Sequence, residues 1–211
     1  MKGYHQMVGI INYGAGNIRS VCSSVIACGE TVFLIEEGHD FKKADIIILP
    51  GVGAFGDGMD GLSFKGLIKP LIEEINNGRP FLGICLGLQM LFSYSEEGNC
   101  KGLGIMKGVV KKFKIKDGQK VPHMGWSRVK LLELEDPLFF NIGDNQYFYF
   151  AHSYYVEPDD TSVVKGITHY GIEFASFIKK DNIVGVQLHP EKSGDNGIKF
   201  LKNFLEGKWL R

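Results

Sequence analysis

Cysteine is scarce: Cys22, Cys28, Cys85 and Cys100 are the only four in 211 residues, and no two form a C-x-x-C pair. That is too few for the disulfide framework of a secreted scaffold. No Cys/His cluster has ligand spacing, so no metal is expected, and the default setting is reducing and cytoplasmic. Arginine is equally rare. Arg19, Arg79, Arg128 and Arg211 are the only four among 24 cations, and 24 carboxylates cancel the total. A neutral chain with so few bidentate phosphate clamps does not suit nucleic acid as its main partner, nor an anionic membrane. Long apolar runs are missing too; stretches such as Ile46 to Leu49 are far too short to span a bilayer. The N-terminus, MKGYHQMVGII, lacks the extended apolar stretch and small-residue cleavage site of an export signal. Internal repeats, low-complexity tracts and linkers are also absent, so one domain spanning 1–211 is expected.

Apolar residues make up 44% of the chain, ample for a buried core. Two periods alternate in the first half. Met7 to Asn12 has strand character and leads into Gly14-Ala15-Gly16. Ile18, Val21, Cys22, Val25 and Ile26 then mark one face of a helix that Gly29 ends. Thr31 to Ile35 and Ile46 to Leu49 are β-branched runs. The second is apolar throughout, as in a strand covered on both faces of a parallel sheet. Leu67, Ile68, Leu71, Ile72 and Ile75 form another helical stripe, stopped at Gly78. Phe81 to Ile84 reads as strand and Leu86 to Phe92 as helix. Strand-like segments follow at 107–115, 123–132, 146–156, 162–169, 174–179 and 183–188, then a helix from Asp195 to Leu205. The order β-α-β-β-α-β-α followed by strands predicts an α/β fold: an open, mostly parallel central sheet flanked by helices, with antiparallel additions in the second half.

The segment Gly83-Ile84-Cys85-Leu86-Gly87 places a thiol between strand and helix with a glycine two residues to either side. This is the thiol version of a nucleophile elbow, whose tight turn lifts the side chain above the sheet edge. At a helix N-terminus the free N–H groups and the dipole favour thiolate, and the Leu86 amide would face an oxyanion on an attacked carbonyl. By itself the same turn fits a buried structural cysteine equally well. A thiolate nucleophile needs a base and the base an orienting group. Val184 to Glu191 ends in His189-Pro190-Glu191. Pro190 disfavours helix at His189, so the tripeptide reads as extended, with His189 and Glu191 projecting to one side. In isolation that pair also reads as a strand-end histidine beside a solvated glutamate. Both halves, however, fall at strand C-terminal ends, where open α/β sheets place their sites. Pro50-Gly51-Val52-Gly53 after the apolar strand could complete the oxyanion hole with backbone N–H groups, or be an ordinary glycine turn. The glycine loop at Gly14 and Gly16 fails the dinucleotide pattern G-x-G-x-x-G because Arg19 occupies the third position. No cofactor is expected. His5, His39 and His169 have no chemical company and read as surface residues.

PGVGAF, GICLGLQMLF and QLHPEKS together resemble the class I (triad-type) glutamine amidotransferases. Within that family the chain is similar, over essentially its whole length, to the glutaminase subunits of imidazole glycerol phosphate synthases. Further markers are VGIINYGAGN, SEEG, VPHMGW and FAHSY. The resemblance implies a flavodoxin-like sheet, Cys85 as nucleophile, His189 as general base and then acid, and Glu191 as its orienting carboxylate. It assigns the oxyanion hole to Leu86 and to the backbone around Val52 and Gly53. It assigns the amino-acid end of glutamine to Gln89 and Glu97, with Gly51 and the backbone of Ser153 and Tyr154. No metal or organic cofactor is implied.

The chain stops about 20 residues after Glu191, so no synthase domain is expected to follow. The resemblance implies a separate (β/α)₈ cyclase subunit that receives the ammonia and forms imidazole glycerol phosphate in histidine biosynthesis. Asn17, Trp126 and Lys192 would lie towards it. One position departs from the pattern: the family's Met-Gly-Trp-Asn ends here in Ser127, a hydroxyl in place of a planar amide. Drift explains it. So would a paralogous glutaminase that feeds ammonia to an enzyme making amidino groups on a bacterial surface sugar.

Overall fold

The structure is a computed structural model that describes residues 6–114 and 119–210. His5, Arg211 and the end of the 107–115 segment lie outside the described residues.

The first half alternates strand and helix: β1 Met7–Ile11, α1 Ile18–Ala27, β2 Thr31–Ile35, β3 Ile46–Leu49, α2 Phe55–Phe64, α3 Ile68–Asn76, β4 Phe81–Ile84 and α4 Leu86–Met90. Short strands β5 Phe92–Ser95 and β6 Cys100–Lys101 follow. Then come β7 Met106–Lys112, β8 His123–Leu131, β9 Gln146–His152, β10 Tyr154–Pro158, β11 Val164–Tyr170, β12 Ile172–Lys180, β13 Ile183–Val186 and α5 Gly194–Leu205. The strands form a nine-stranded sheet in the order β2-β1-β3-β4-β13-β12-β11-β8-β9 and a four-stranded sheet β10-β7-β5-β6. From β2 to β13 the pairings are parallel; from β13 to β9 they are antiparallel. The expected parallel centre with antiparallel additions is what the large mixed sheet contains.

Packing on both faces explains why β3 is apolar at every position. Ile46 and Ile48 enter the cluster that holds Val21 and Val25 of α1 and Phe200, Leu201 and Phe204 of α5. Ile47 and Leu49 enter the opposite cluster, with Leu62 of α2 and Leu71 and Ile75 of α3. A side chain so enclosed contributes on the order of 1.5–3 kcal/mol by leaving water.

Three sequence expectations change. Helix α2 adds to the expected elements, its apolar rhythm being broken by Gly56, Gly58 and Gly61. Two of these permit close packing: a Cβ on Gly58 would lie 2.9 Å from Met90 Sδ, and one on Gly61 2.5 Å from the Tyr13 carbonyl oxygen. The helix after Cys85 stops at Met90, because Phe92 pairs with Met106 of β7 and enters the small sheet. The 146–156 stretch is two strands in two different sheets, dividing at Ser153, whose carbonyl accepts from Phe113 N (3.1 Å).

Candidate active site

Strand β4 ends in Cys85, whose backbone sits at φ 53°, ψ −104°, a conformation L-residues avoid. The flanking glycines allow it by close approach. A Cβ on Gly83 would come within 2.8 Å of the Gly87 backbone, and one on Gly87 would collide with the Leu49 carbonyl oxygen. The turn therefore seats α4 directly on β3, with Cys85 at its start and Leu86 as the first helical residue. The first intrahelical bond runs from Gln89 N to Cys85 O (3.1 Å), so the Leu86 amide lies ahead of the helical ladder.

Parallel neighbour β13 pairs Val186 with Ile84, and Cys85 N donates to Val186 O at 2.7 Å. Three residues beyond Val186, His189 is extended (φ −105°, ψ 94°) and its N–H is held by Tyr149 O of β9 (2.9 Å). The extended tripeptide expected from Pro190 is corrected here, since Pro190–Lys192 closes a 3-10 turn. Proline's fixed φ suits the first position of such a turn, and Lys192 N bonds back to His189 O at 3.0 Å. The outcome for the side chains is unchanged: His189 Nδ1 donates to Glu191 Oε1 at 2.9 Å, both side chains 1% exposed. That bond puts the Nδ1 proton on the Glu191 side and leaves Nε2, buried and without a hydrogen-bond partner, on the cysteine side. Burial opposes charge on the imidazole, but Cys85 and then Glu191 outweigh it and raise His189 to about 10.

A cavity of about 150 Å³ opens over the sulfur, lined by Val52, Gly53, Cys85, Leu86, Gln89 and Glu97 on one side and by Pro122 and residues 151–154 on the other. It thus gathers Ser153 and Tyr154 with the other expected substrate contacts. Gly51 stands behind it, where a Cβ would lie 2.6 Å from Leu86 Cβ. Gly53 has φ 106°, open to glycine. Glu97 is fixed by Phe55 N, which donates to Oε2 at 2.8 Å. Gln89 Nε2 donates to Tyr154 O (2.9 Å) and to Gln187 Oε1 (3.2 Å), and Gln187 Nε2 points at Cys85 Sγ (3.6 Å).

Four residues here were not singled out from sequence. Gln187 is a fully buried amide in an otherwise apolar strand end, and that polarity was its signal. His123 and His152 are buried on facing strands, a pairing invisible without the sheet. Tyr13 carries a buried hydroxyl with no partner; burial, then the charge of Cys85, pushes it upward. His39 and His169 are exposed, as expected. Of the residues assigned to a partner face, Trp126 is 53% exposed and stands edge-on to Tyr149 (6.1 Å between ring centres). Lys192 Nζ lies 5.8 Å from the same ring. Asn17 precedes α1, which packs against the 190–192 turn, and its Oδ1 accepts from Ser20 Oγ at 2.9 Å rather than from a helix N–H. Ser127 Oγ lies 2.8 Å from His123 Nε2, so the departure from asparagine retains a hydrogen-bonding group.

A thiol on a strained strand-to-helix turn, faced by a histidine whose other nitrogen is held by a buried carboxylate, can carry out acyl transfer through a thioester. Among the described residues no cluster of three or more His, Cys, Asp or Glu is arranged to hold a metal ion, and no helix is long and apolar enough to cross a membrane. Residues 10–207 match the family "Glutamine amidotransferase class-I". The chain belongs to the class I glutamine amidotransferases. Curated relatives include the imidazole glycerol phosphate synthase subunit HisH of Methanocaldococcus jannaschii, 50% identical over 202 residues (95% of this chain, 99% of that one). The HisH subunit of Desulfitobacterium hafniense strain DCB-2 is 46% identical over 207 residues (97% and 95%). Among solved structures, PurLQS from Thermotoga maritima superposes with TM-score 0.75 at 18% identity (96% of this chain, 99% of that one), which speaks for the fold alone.

Proposed function

We propose that this chain is the glutaminase subunit of an imidazole glycerol phosphate synthase, acting as one domain over residues 1–211. It hydrolyses glutamine to glutamate and ammonia and delivers the ammonia for imidazole glycerol phosphate formation in histidine biosynthesis. The observation that carries the reading is near-full-length identity of 44–50% to HisH subunits. The geometry supports a mechanism. Cys85 sulfur gives its proton to His189 Nε2 and attacks the side-chain amide carbon, and the oxygen takes up negative charge towards the Leu86 amide and the Gly51–Gly53 backbone. His189 protonates the departing nitrogen, the C–N bond breaks, and ammonia leaves a glutamyl thioester. Water then attacks the thioester while His189 removes its proton, and the C–S bond breaks to give glutamate. Glu191 holds the imidazole throughout. Gln89, Glu97 and the backbone of Ser153 and Tyr154 grip the amino-acid end.

The ammonia passes to a (β/α)₈ cyclase partner, with Asn17, Trp126 and Lys192 on the face towards it. Four free cysteines fit a cytoplasmic setting. The test is glutamate release with and without a cyclase subunit and its nucleotide ligand, with Cys85→Ala as the blank. Stimulation that vanishes in Cys85→Ala supports the reading; no stimulation, with a cyclase active on free ammonia, refutes it.

A further inference from the structure

Two histidines that the mechanism leaves unused sit opposite each other on β8 and β9, where the register pairs His123 with His152. Both are buried, at 1% and 5% exposure, in an aromatic nest. His123 stacks between Tyr170 (4.0 Å between ring centres) and Phe150 (4.9 Å), and Phe174 meets His152 edge-on at 5.1 Å. Burial holds them neutral at physiological pH, lowering His123 to about 4 and His152 to about 3.

Neutral imidazole has one donor and one acceptor nitrogen, so the neighbours dictate the tautomer. His152 Nδ1 lies 2.7 Å from Tyr154 O. A carbonyl can only accept, so Nδ1 carries the proton and Nε2 is a lone pair. That lone pair lies 3.1 Å from His123 Nδ1, which must therefore donate. His123 Nε2 is left as an acceptor, 2.8 Å from the Ser127 hydroxyl. Every bond runs one way, from Ser127 to the Tyr154 carbonyl. The second lone pair of that carbonyl is taken by Gln89 Nε2 at 2.9 Å. Gln89 spends its other N–H on Gln187 (3.2 Å), so its oxygen is the group left for the cavity over Cys85.

We propose that His123 and His152 are positioning residues: a one-way relay of two imidazoles, each protonated on Nδ1, pins the Tyr154 carbonyl between His152 and Gln89. The Ser153–Tyr154 backbone and the Gln89 oxygen are thereby held in one orientation towards the α-ammonium and carboxylate of a bound amino acid. The proposal rests on the glutaminase reading for the identity of that ligand. The relay itself does not depend on it.

Nitrogen NMR of ¹⁵N-histidine-labelled protein reads the tautomers directly. Nδ1–H at both residues is expected at neutral pH. An Nε2–H tautomer or an imidazolium at His152 overturns the relay. Kinetics with glutamine then separate positioning from mere packing. His152→Leu removes the donor and is expected to raise KM about tenfold, the scale of one hydrogen bond near a charged ligand, with kcat within about threefold. His152→Asn keeps an N–H where Nδ1 was and is expected to stay within about threefold of the unmodified protein in both constants. A fall in kcat at unchanged KM, or an Asn variant no better than Leu, overturns the proposal. Should His152→Leu not fold, the spectrum of the unmodified protein and the KM of His152→Asn still decide. A labelled protein that shows the tautomers but releases no glutamate under any condition would refute the glutaminase reading and leave the relay standing.

Discussion

Lowering the pH from 7 to 5 is expected to weaken the fold through His123 and His152. Both have folded-state pKa values below the ordinary 6.5, at about 4 and about 3, because burial penalises their charge. The sign follows: below about 6.5 the unfolded chain takes up two protons that the folded chain refuses, so stability is present above that pH and lost as the pH falls towards the folded values. At about 1.4 kcal/mol per pH unit, the interval from 6.5 to 5 costs about 2 kcal/mol for the enclosed His152. His123, lowered to about 4 and equally shut off from solvent, has its folded value below 5 as well and contributes a similar amount, giving about 4 kcal/mol for the pair. His189 acts in the opposite sense. Raised to about 10, its contribution is complete below 6.5 and adds less than about 1 kcal/mol between pH 7 and 5. The net loss of about 3 kcal/mol is a large share of an ordinary domain's stability. Urea unfolding followed by the fluorescence of Trp126 and Trp209, at pH 7 and 5 and constant ionic strength, measures it. The same series on His152→Asn is expected to lose about 2 kcal/mol less. An identical pH dependence in the two proteins would refute the reasoning.

The remaining expectations concern the elbow and its partners. Histidine NMR titration should place His189 near 10, and Cys85→Ala should move it downward by removing the negative partner while burial stays; no movement would show that the thiolate does not face it. Glu191→Gln keeps an acceptor for His189 Nδ1 but removes the charge, so glutamine turnover should fall by about 10²-fold or more and the His189 titration should also drop. Gly87→Ala forces a Cβ against the Leu49 carbonyl and should cost about 3 kcal/mol or more by chemical denaturation, with loss of turnover. In contrast, Gly56→Ala in α2 meets only Cys100 Sγ at 3.5 Å and should be neutral or stabilise by up to about 1 kcal/mol; equal damage at both glycines would contradict the close-approach account of the elbow.

The chemistry-bearing stretches were legible because their constraints are local. Glycines on either side of Cys85 announce a tight turn. A fully apolar Ile46–Leu49 run announces a strand buried on both faces, and period and alternation separate the helices α1, α3 and α5 from the strands. Although Pro190 opens a 3-10 turn and does not continue an extended chain, the two-residue spacing still lets Glu191 reach His189. Helix α2 escaped because its contact residues are glycines, which leave no apolar signal and act only by letting Met90 and the Tyr13 backbone approach. Whether Cys85 meets His189 lies beyond any local pattern. It rests on β13 returning, after eight intervening strands, to lie parallel against β4, so that residues 104 apart share one sheet edge. The same non-local pairing sets His123 beside His152 and places the Tyr154 carbonyl between an imidazole and Gln89. Backbone hydrogen bonding between distant strands brings these groups together, and nothing in the spacing along the chain encodes those distances. Local sequence therefore specified the candidate groups and the turns that carry them, while the sheet's order and register decided which of them touch.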